Sequence, residues 1–337
     1  PSAVTVDSNG VVTGMGRIDS SVITVTDKIL GSSYSFTVRV AQSADTEITV
    51  PMIVSGYGHT LALRADGTVW AWGDNTYGQL GDGTYGTSNV DKFVPRQVRI
   101  GQNESNTKLL TNIKYVAAGA NSSAAIDQDG LLYVWGNNDN GQLGVDGKIV
   151  AYPTLVEALK DNPATPNADE TILVSAVELS ESHTIIIDAL TKRAYTWGKN
   201  DHNQLGYQQS ILNNGKPMTS PSTENYAKEA HLVTRDKGDL NFLEVASGKN
   251  HSVGIVIPAS EAETATQGTV YAWGDNTYGQ LGQNTSGSSS AVLQAVKKSN
   301  GESITNAVAV AAADNYSLAL TADGIVYAWG DNTYGVM

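Results

Sequence analysis

One short segment recurs five times along the chain, and this repetition constrains the fold more than any other feature. It reads WAWGDNTYGQLG from Trp70, and it returns as YVWGNNDNGQLG from Tyr133, YTWGKNDHNQLG from Tyr195, YAWGDNTYGQLG from Tyr271 and YAWGDNTYGVM from Tyr327. Such recurrence at long intervals indicates that one supersecondary unit has been copied along the chain.

The spacing of the copies predicts the type of unit. The central tryptophans, which we interpret as structural residues of the repeat, are Trp72, Trp135, Trp197, Trp273 and Trp329. Successive copies are therefore 63, 62, 76 and 56 residues apart, which leaves room for four short strands, about one propeller blade. The units alternate apolar and polar residues and carry Asp-Gly turns, without a sustained helical stripe. We therefore predict an all-β fold.

Two strands can be read within each unit. In TVWAWG, Trp70 and Trp72 share one face of a strand while Val69 and Ala71 share the other. Both faces are apolar, so we expect this strand to be buried between stacked sheets. Upstream we expect an inner strand with small residues that suit a crowded axis. It reads SGYGHTLAL from Ser55, ASGKNHSVGI from Ala246 and AAADNYSLAL from Ala311.

The loop after the tryptophan strand has a fixed residue pattern. An asparagine such as Asn75 and a glutamine such as Gln79 are expected to hydrogen-bond the loop backbone, and Leu80 is expected to plug back under the sheet. Asn203 replaces the glycine that stands at Gly78 in the first unit. Because asparagine tolerates a left-handed backbone, this substitution predicts a positive φ at that position.

These motifs resemble those of the regulator of chromosome condensation family, whose signature is a VxxGxxHTxAL strand followed by VYxWGxNxxGQLG. The resemblance covers roughly residues 51–337 and implies a β-propeller, which in that family is usually seven-bladed. Five repeats are visible here, and Val336 and Met337 stand where Gln and Leu are expected. We therefore expect an incomplete ring with a truncated last repeat rather than a closed five-bladed one.

Residues 1–50 differ in residue pattern from the repeats. They read as short alternating strands separated by Asn-Gly, Gly-Met-Gly and Gly-Ser-Ser, and they resemble the second half of a bacterial immunoglobulin-like domain. This resemblance implies a modular, exported protein, located outside the cell or on a bacterial surface.

Composition excludes several classes of function. The net charge is −13 and no basic run is present, so we expect no nucleic-acid partner. Cysteine is absent, which removes disulfides, thiolate metal sites and cysteine nucleophiles but leaves the compartment open. We expect no membrane insertion, because no apolar run is long enough to span a bilayer. Any leader peptide must have preceded Pro1.

Candidate catalytic and metal-binding residues are few. His59, His183 and His251 share one repeat position, and we interpret them as hydrogen-bonded structural histidines. The segments from Asp74 and Asp127 only superficially resemble calcium loops, since they miss the required spacing. No hydrolase, phosphate-binding or dinucleotide motif is present. We therefore expect no enzyme activity, no metal and no cofactor.

Variable positions inside the fixed motifs are the candidate binding residues, because a scaffold holds them in space while their chemistry is free to change. One set is expected at the start of the inner strand: Tyr57, Ala120, Glu181, Lys249 and Asp314. The other lies in the loop after the tryptophan strand: Tyr77, Asn140, His202, Tyr278 and Tyr334. If exposed at one end of the propeller, they would form a ring with tyrosine anchors, a residue type that interfaces favour.

Two functions compete at this point. We favour a non-catalytic binding or adhesion module of a bacterial surface or secreted protein that recognises a protein or a glycan. The alternative is an inhibitor of a secreted enzyme, because the units also resemble the propeller-type β-lactamase inhibitory protein. A homo-oligomer through open blade edges is a further hypothesis.

Two other family roles fit poorly. Guanine nucleotide exchange on a nuclear GTPase and nucleosome binding do not fit the acidic charge or the N-terminal segment. Resemblance to the plant ultraviolet-B photoreceptor would require tryptophans at Tyr57, Lys249 and Asp314.

Overall fold

The computed structural model divides the chain into two units, residues 1–49 and 50–337. The residues that it describes are 4–6, 12–14, 19–26, 33–40, 49–86, 92–103, 106–159, 171–207, 226–235, 238–262, 264–335 and 337.

The N-terminal unit contains two antiparallel strand pairs. Strand β1 (Val4–Val6) pairs with β2 (Val12–Gly14), and β3 (Asp19–Thr26) pairs with β4 (Ser33–Val40). The predicted immunoglobulin-like half-sandwich needs an arrangement of these pairs that the described residues do not define, so it stays a prediction.

The second unit consists of five successive antiparallel sheets, each built from strands consecutive in sequence. Sheets 1 and 2 have four strands each: β5 (Met52–Ser55), β6 (His59–Leu63), β7 (Val69–Gly73) and β8 (Lys92–Gln97) in sheet 1, and β11 (Ile113–Ala118), β12 (Ser122–Asp127), β13 (Leu132–Asn137) and β14 (Ile149–Leu155) in sheet 2. Sheets 3 and 4 also have four strands each: β15 (Val174–Leu179), β16 (His183–Asp188), β17 (Ala194–Lys199) and β18 (Tyr226–Leu232) in sheet 3, and β21 (Asn241–Ser247), β22 (His251–Ile257), β23 (Thr269–Asn276) and β24 (Gly287–Ala295) in sheet 4. Sheet 5 has three strands: β25 (Ala307–Ala313), β26 (Tyr316–Thr321) and β27 (Val326–Gly330).

Short elements fill the connections between sheets. Two small hairpins pair β9 (Arg99–Asn103) with β10 (Asn106–Leu109), and β19 (Thr234–Arg235) with β20 (Gly238–Asp239). The described helices are two 3-10 turns, Glu157–Leu159 and Ala259–Glu261. The second of these turns lies between β22 and β23 and is exposed.

The first strand of each sheet lies innermost. Strand β5 contacts β11, β11 contacts β15, β15 contacts β21, and β21 contacts β25, so the sheets are arrayed like propeller blades about a shared axis. The predicted all-β propeller architecture is confirmed. One detail of the sequence interpretation is wrong: the segment from Ser55 is not one strand, because Gly56–Gly58 turn the chain between β5 and β6. The tightly spaced glycines favour a turn over a continuous strand.

Stacking of the sheets buries the tryptophan strand on both faces, as the sequence predicts. Trp135, Trp197 and Trp273 are no more than 1% exposed. On the opposite face of the same strands, the residues equivalent to Val69 are also no more than 1% exposed: Leu132, Ala194 and Val270. Apolar clusters therefore run through the interfaces between neighbouring sheets and hold the propeller together.

Sheets 1 and 5 each present one uncovered face. Val326, which is equivalent to the buried Val69, is 63% exposed on sheet 5, and Leu320 is 38% exposed. Ile53 on sheet 1 is 65% exposed, whereas the equivalent Val116 of sheet 2 is completely buried. Among the described residues of the second unit, no further sheet packs on these two faces.

The loop after the tryptophan strand is held by hydrogen bonds that recur from unit to unit. The predicted positive φ at Asn203 is confirmed at 63°, beside 80° for Gly78. The asparagine at the start of the loop accepts a bond from the backbone N–H five residues on, as Asn75 Oδ1 does from Leu80 at 3.0 Å. This bond recurs in all five units, with Asn138, Asn200, Asn276 and Asn332 as acceptors. The plug leucines Leu80, Leu143, Leu205 and Leu281 are at most 2% exposed.

Candidate functional site

Two kinds of loop meet at the same end of the propeller, which we call the turn end. They are the turns between the first and second strands and the loops after the tryptophan strands. In sheet 1, the Asp74 N–H donates to the Gly58 carbonyl at 2.7 Å. Equivalent bonds of 2.8–3.0 Å join Asn137 to Asn121, Lys199 to Ser182, Asp275 to Asn250 and Asp331 to Asn315. Both sets of variable residues therefore lie at the turn end.

Four variable side chains from sheets 1, 3, 4 and 5 gather near the axis, and we call Tyr57, Glu181, Lys249 and Asp314 the axial quartet. Lys249 Nζ lies 3.3 Å from Glu181 Oε2. Partial desolvation raises the pKa of Tyr57, the carboxylates of Glu181 and Asp314 raise it further, and Lys249 opposes them. The hydrogen bond and charge of Glu181 raise the pKa of Lys249, to which Asp314 also contributes. These mutual effects place the four groups within electrostatic range of one another.

Backbone bonds between neighbouring sheets hold the axial quartet in place. The Tyr57 N–H donates to the Ala120 carbonyl at 3.0 Å, and the Lys249 N–H donates to the Asp314 carbonyl at 2.8 Å. The side chain of Tyr57 is 71% exposed. The quartet is therefore displayed to solvent from a fixed backbone. Ala120, the fifth member of this set, is buried and adds no functional group.

The second variable set lies in the loops that follow the third strand of each sheet, whereas the axial quartet lies in the turns between the innermost and second strands. Tyr278 is 51% and Tyr334 is 89% exposed, while Tyr77, Asn140 and His202 are partly buried. In four of these loops a glutamine side chain accepts a bond from the backbone N–H of the variable residue at 2.8–2.9 Å. The predicted role of the repeated glutamine as a backbone partner is confirmed, and the side chain of each variable residue is free to differ.

The three repeat-position histidines lie inside the propeller, where each bonds the next sheet. His59 Nε2 lies 2.9 Å from Ser123 Oγ, and that hydroxyl donates to the Gln79 carbonyl at 2.9 Å. Because the serine proton is used in this way, the histidine Nε2 must carry a hydrogen and donate it. His183 Nε2 lies 2.9 Å from Ser252 Oγ, and His251 Nε2 lies 2.7 Å from Ser317 Oγ. These contacts agree with a structural role.

Three of the five repeat tryptophans also join neighbouring sheets. The indole Nε1 of Trp135 donates to the Gln79 carbonyl at 2.8 Å, and Trp273 and Trp329 make equivalent bonds to Gln204 and Gln280. Within the described residues, no cluster of His, Asp and Glu is arranged to hold a metal ion. The same residues include no helix that is long and apolar enough to cross a bilayer.

Sequence reasoning missed a titratable cluster on the innermost strands. Burial, together with the charge of Glu244, raises the pKa of Glu178 to about 8. Burial also raises the pKa of Glu244, whose Oε2 accepts a bond from the Val310 N–H at 2.9 Å. Burial and these two carboxylates raise the pKa of Tyr115 to about 12. The available signal was a lone acidic residue inside the apolar run VSAVELS.

We expect Glu178→Gln to stabilise the protein at alkaline pH. Because the native pKa lies above that of the unfolded chain, the native state holds an extra proton between these two values. Stability contributed by this group is therefore lost as the pH rises toward and through about 8. Since Glu178 keeps some solvent contact, the expected gain is about 2 kcal/mol at pH about 9.

Urea denaturation of both proteins at neutral and alkaline pH measures this difference. The exposed Glu302→Gln serves as the control and should show no such pH dependence. Parallel pH profiles for the wild type and Glu178→Gln would contradict the assignment.

The fold and the turn end define a repeat propeller that displays side chains from several sheets at one end. The model of the regulator of chromosome condensation (RCC1) repeat matches residues 66–126, 129–187, 193–255 and 267–320. A second model of the same repeat matches residues 113–142 and 307–336. The chain belongs to the regulator of chromosome condensation repeat family.

Relatives in this family are distant and longer than the chain. The Ultraviolet-B receptor UVR8 of Arabidopsis thaliana is 27% identical over 291 residues, which cover 86% of this chain and 54% of that protein. Protein pim1 of Schizosaccharomyces pombe is 26% identical over 266 residues, covering 76% of this chain and 43% of that protein. The chain therefore spans about half the length of these relatives.

Solved structures agree with the propeller fold. Prp20p from Saccharomyces cerevisiae, whose binding properties to Gsp1p and histones have been described, superimposes with a TM-score of 0.60 at 22% identity, covering 85% of this chain and 57% of that one. Human WBSCR16 gives a TM-score of 0.59 at 19% identity, covering 84% and 62%. At this level of identity, the similarity shows the fold alone.

Proposed function

We propose that the chain is a non-catalytic protein-binding module that recognises its partner through the turn end. The observation that carries this proposal is the axial quartet, in which side chains from four sheets converge on a backbone fixed by bonds between sheets. A surface that is already ordered before binding loses less entropy when a partner docks. Exposed tyrosines add large, rigid contact area at the same end.

The family context supports a protein ligand. Prp20p, which shares the fold, has described binding properties to Gsp1p and histones. A glycan is the alternative ligand for the same end. The location on a bacterial surface or in a secreted protein, also part of the proposal, rests on the resemblance of residues 1–50 to a bacterial immunoglobulin-like domain.

Affinity capture with matched variants tests this proposal. The immobilised wild-type protein is compared with a Tyr57→Ala, Tyr278→Ala double variant and with Leu190→Ala. Leu190 is 76% exposed in the turn between β16 and β17, at the opposite end. Proteins retained by the wild type and by Leu190→Ala are identified by mass spectrometry, and direct binding of each purified candidate is then measured by calorimetry.

We expect the double variant to weaken binding of the true partner at least tenfold, since two aromatic anchors are removed. Equal binding by the double variant and the wild type would contradict the proposal. If purified glycans bind the turn end and none of the protein candidates does, the ligand is a glycan, which is the alternative ligand class.

A further inference from the structure

The two ends of the propeller differ in charge. Among the residues whose side chains are described, the turn end carries the carboxylates Asp74, Asp82, Asp139, Asp146, Glu181, Asp201, Asp275, Asp314 and Asp331, accompanied by Lys148, Lys199 and Lys249. Among the described residues, the hairpin connections at the opposite end and the strand residues beside them mix both signs, with Arg64, Lys114, Lys192 and Arg193 beside Asp66, Asp129, Asp188, Glu261 and Asp323. The turn end therefore presents a negative potential, whereas the opposite end is close to neutral.

Most turn-end aspartates accept hydrogen bonds from residues of their own loops. Asp74 Oδ1 accepts bonds from the backbone N–H and the hydroxyl of Thr76 at 2.9 and 2.6 Å, and Asp275 does the same with Thr277. Asp314 differs from them. It is exposed, and in the described part of the chain its carboxylate forms no hydrogen bond or ion pair. A free carboxylate therefore stands in the axial quartet, beside the Glu181–Lys249 ion pair.

An exposed aromatic ring accompanies this carboxylate. The phenol of Tyr57, 71% exposed, lies within electrostatic range of Asp314, Glu181 and Lys249. A ring face attracts a cation, and a neighbouring carboxylate binds a guanidinium or ammonium through charge-assisted hydrogen bonds. Carboxylates beside an open ring therefore suit a basic side chain, while an anionic group would meet repulsion.

We propose that the turn end binds a basic segment of its protein partner, with an arginine or lysine side chain against Asp314, Glu181 and the ring of Tyr57. The inference rests on the proposed function and names the chemistry of the partner. Lys249 competes with the incoming cation for the same carboxylates, since it already pairs with Glu181 at 3.3 Å. Removing the Lys249 charge should therefore strengthen binding, an effect that a merely structural role of this residue would not produce.

A short alternating Gly-Arg peptide serves as the probe, with a Gly-Glu peptide of equal length as its control. Fluorescence anisotropy gives the affinity of the wild type, of Asp314→Asn with Glu181→Gln, of Tyr57→Ala and of Lys249→Gln. Asp129→Asn and Lys114→Gln are the matched controls, because Asp129 lies in the opposite-end turn and Lys114 bonds Gln128 of that turn at 3.2 Å. Circular dichroism checks that each variant is folded.

We expect the Gly-Arg peptide to bind and the Gly-Glu peptide not to bind. The double charge variant should weaken Gly-Arg binding about tenfold and Tyr57→Ala about threefold, while Lys249→Gln strengthens it about threefold. The two opposite-end controls should stay within twofold of the wild type. Hydrogen exchange with the peptide bound should slow at residues 56–58 and 313–315.

Three results would overturn the inference. They are equal binding of the two peptides, equal weakening by Asp129→Asn and the double charge variant, and weaker binding by Lys249→Gln. A partner whose capture depends on Tyr57 but not on Asp314 or Glu181 would sink the inference while leaving the proposed function in place. A partner whose capture depends on neither Tyr57 nor the two carboxylates would contradict both the inference and the proposed function.

Discussion

Replacing Trp135 by alanine is expected to lower the free energy of unfolding by about 4 kcal/mol, because a large and completely buried side chain leaves a cavity between two sheets. Part of this loss comes from the bond that its indole Nε1 donates to the Gln79 carbonyl at 2.8 Å. Trp135→Phe retains most of the volume and should cost about 1–2 kcal/mol. Urea denaturation at neutral pH measures the free energy of unfolding of the wild type and of the two variants.

Trp72 provides the matched control within the same chain. It occupies the equivalent position in sheet 1, the first sheet of the second unit, and it is only partly buried. Trp72→Ala should therefore cost about half as much as Trp135→Ala. Equal losses for the two variants would show that stacking between sheets does not determine the stability of the propeller.

Acidification is expected to unfold the protein through its buried histidines. Burial lowers the pKa of His59 and His251 to about 4 and that of His183 to about 3, while histidine in an unfolded chain titrates near 6.5. The unfolded state therefore binds more protons between these values. Stability is present above about 6.5 and is lost as the pH falls toward 4, by up to about 3 kcal/mol for each histidine.

The hydrogen bonds explain why protonation is unfavourable at these positions. In His59 and His251, Nε2 is used in a bond to the next sheet, and Nδ1 is buried without a hydrogen-bond acceptor among the described residues. A proton added at Nδ1 would therefore place a charge without a hydrogen-bond acceptor in the interior, and the carboxylates of Asp74 and Asp275 offset only part of the cost of burial. Protonation should therefore favour the unfolded chain, in which the bonds from histidine Nε2 to the next sheet are lost.

Urea denaturation across the range from neutral to acidic pH measures the effect. His59→Gln should lower stability at neutral pH but reduce its dependence on pH, because the titrating group is gone. Leu190→Ala, at a side chain that is 76% exposed and cannot titrate, is the control and should leave the pH dependence unchanged. A flat wild-type profile between neutral pH and about 4.5 would contradict this account of the histidines.

Much of the fold could be predicted from sequence because each copied unit repeats a local physical requirement. The tryptophan strand is apolar on both faces and must be buried on both sides. The substitution of asparagine at position 203 identified a left-handed backbone position that glycine occupies elsewhere, and the φ of 63° agrees. Five copies of one constraint leave few alternative arrangements of the strands.

The strand boundary at the turn end could not be predicted in the same way. The small residues Ser55, Gly56 and Gly58 suit both a crowded strand and a tight turn, and only the pairing of β5 with β6 separates these alternatives. For the same reason Tyr57 was expected at the start of a strand, whereas it lies in a turn where its ring is exposed.

The contacts within the candidate site depend on tertiary structure that no local pattern records. Sequence alignment of the repeats placed Glu181, Lys249 and Asp314 at one position, but not the 3.3 Å contact between Lys249 and Glu181. The Glu178 and Glu244 cluster was missed because the two residues occupy different positions in their repeats. They approach only because neighbouring innermost strands lie side by side.

A distance measured across the turn end tests the central claim, that the copied units are blades whose variable turns converge on one axis. Pulsed electron resonance with spin labels at positions 57 and 314 should give a narrow distribution near 20 Å or less, since the parent side chains lie within electrostatic range. Labels at positions 57 and 190, at opposite ends, should lie farther apart. A distance between positions 57 and 314 that equals or exceeds the distance between 57 and 190 would contradict the convergence of the turns.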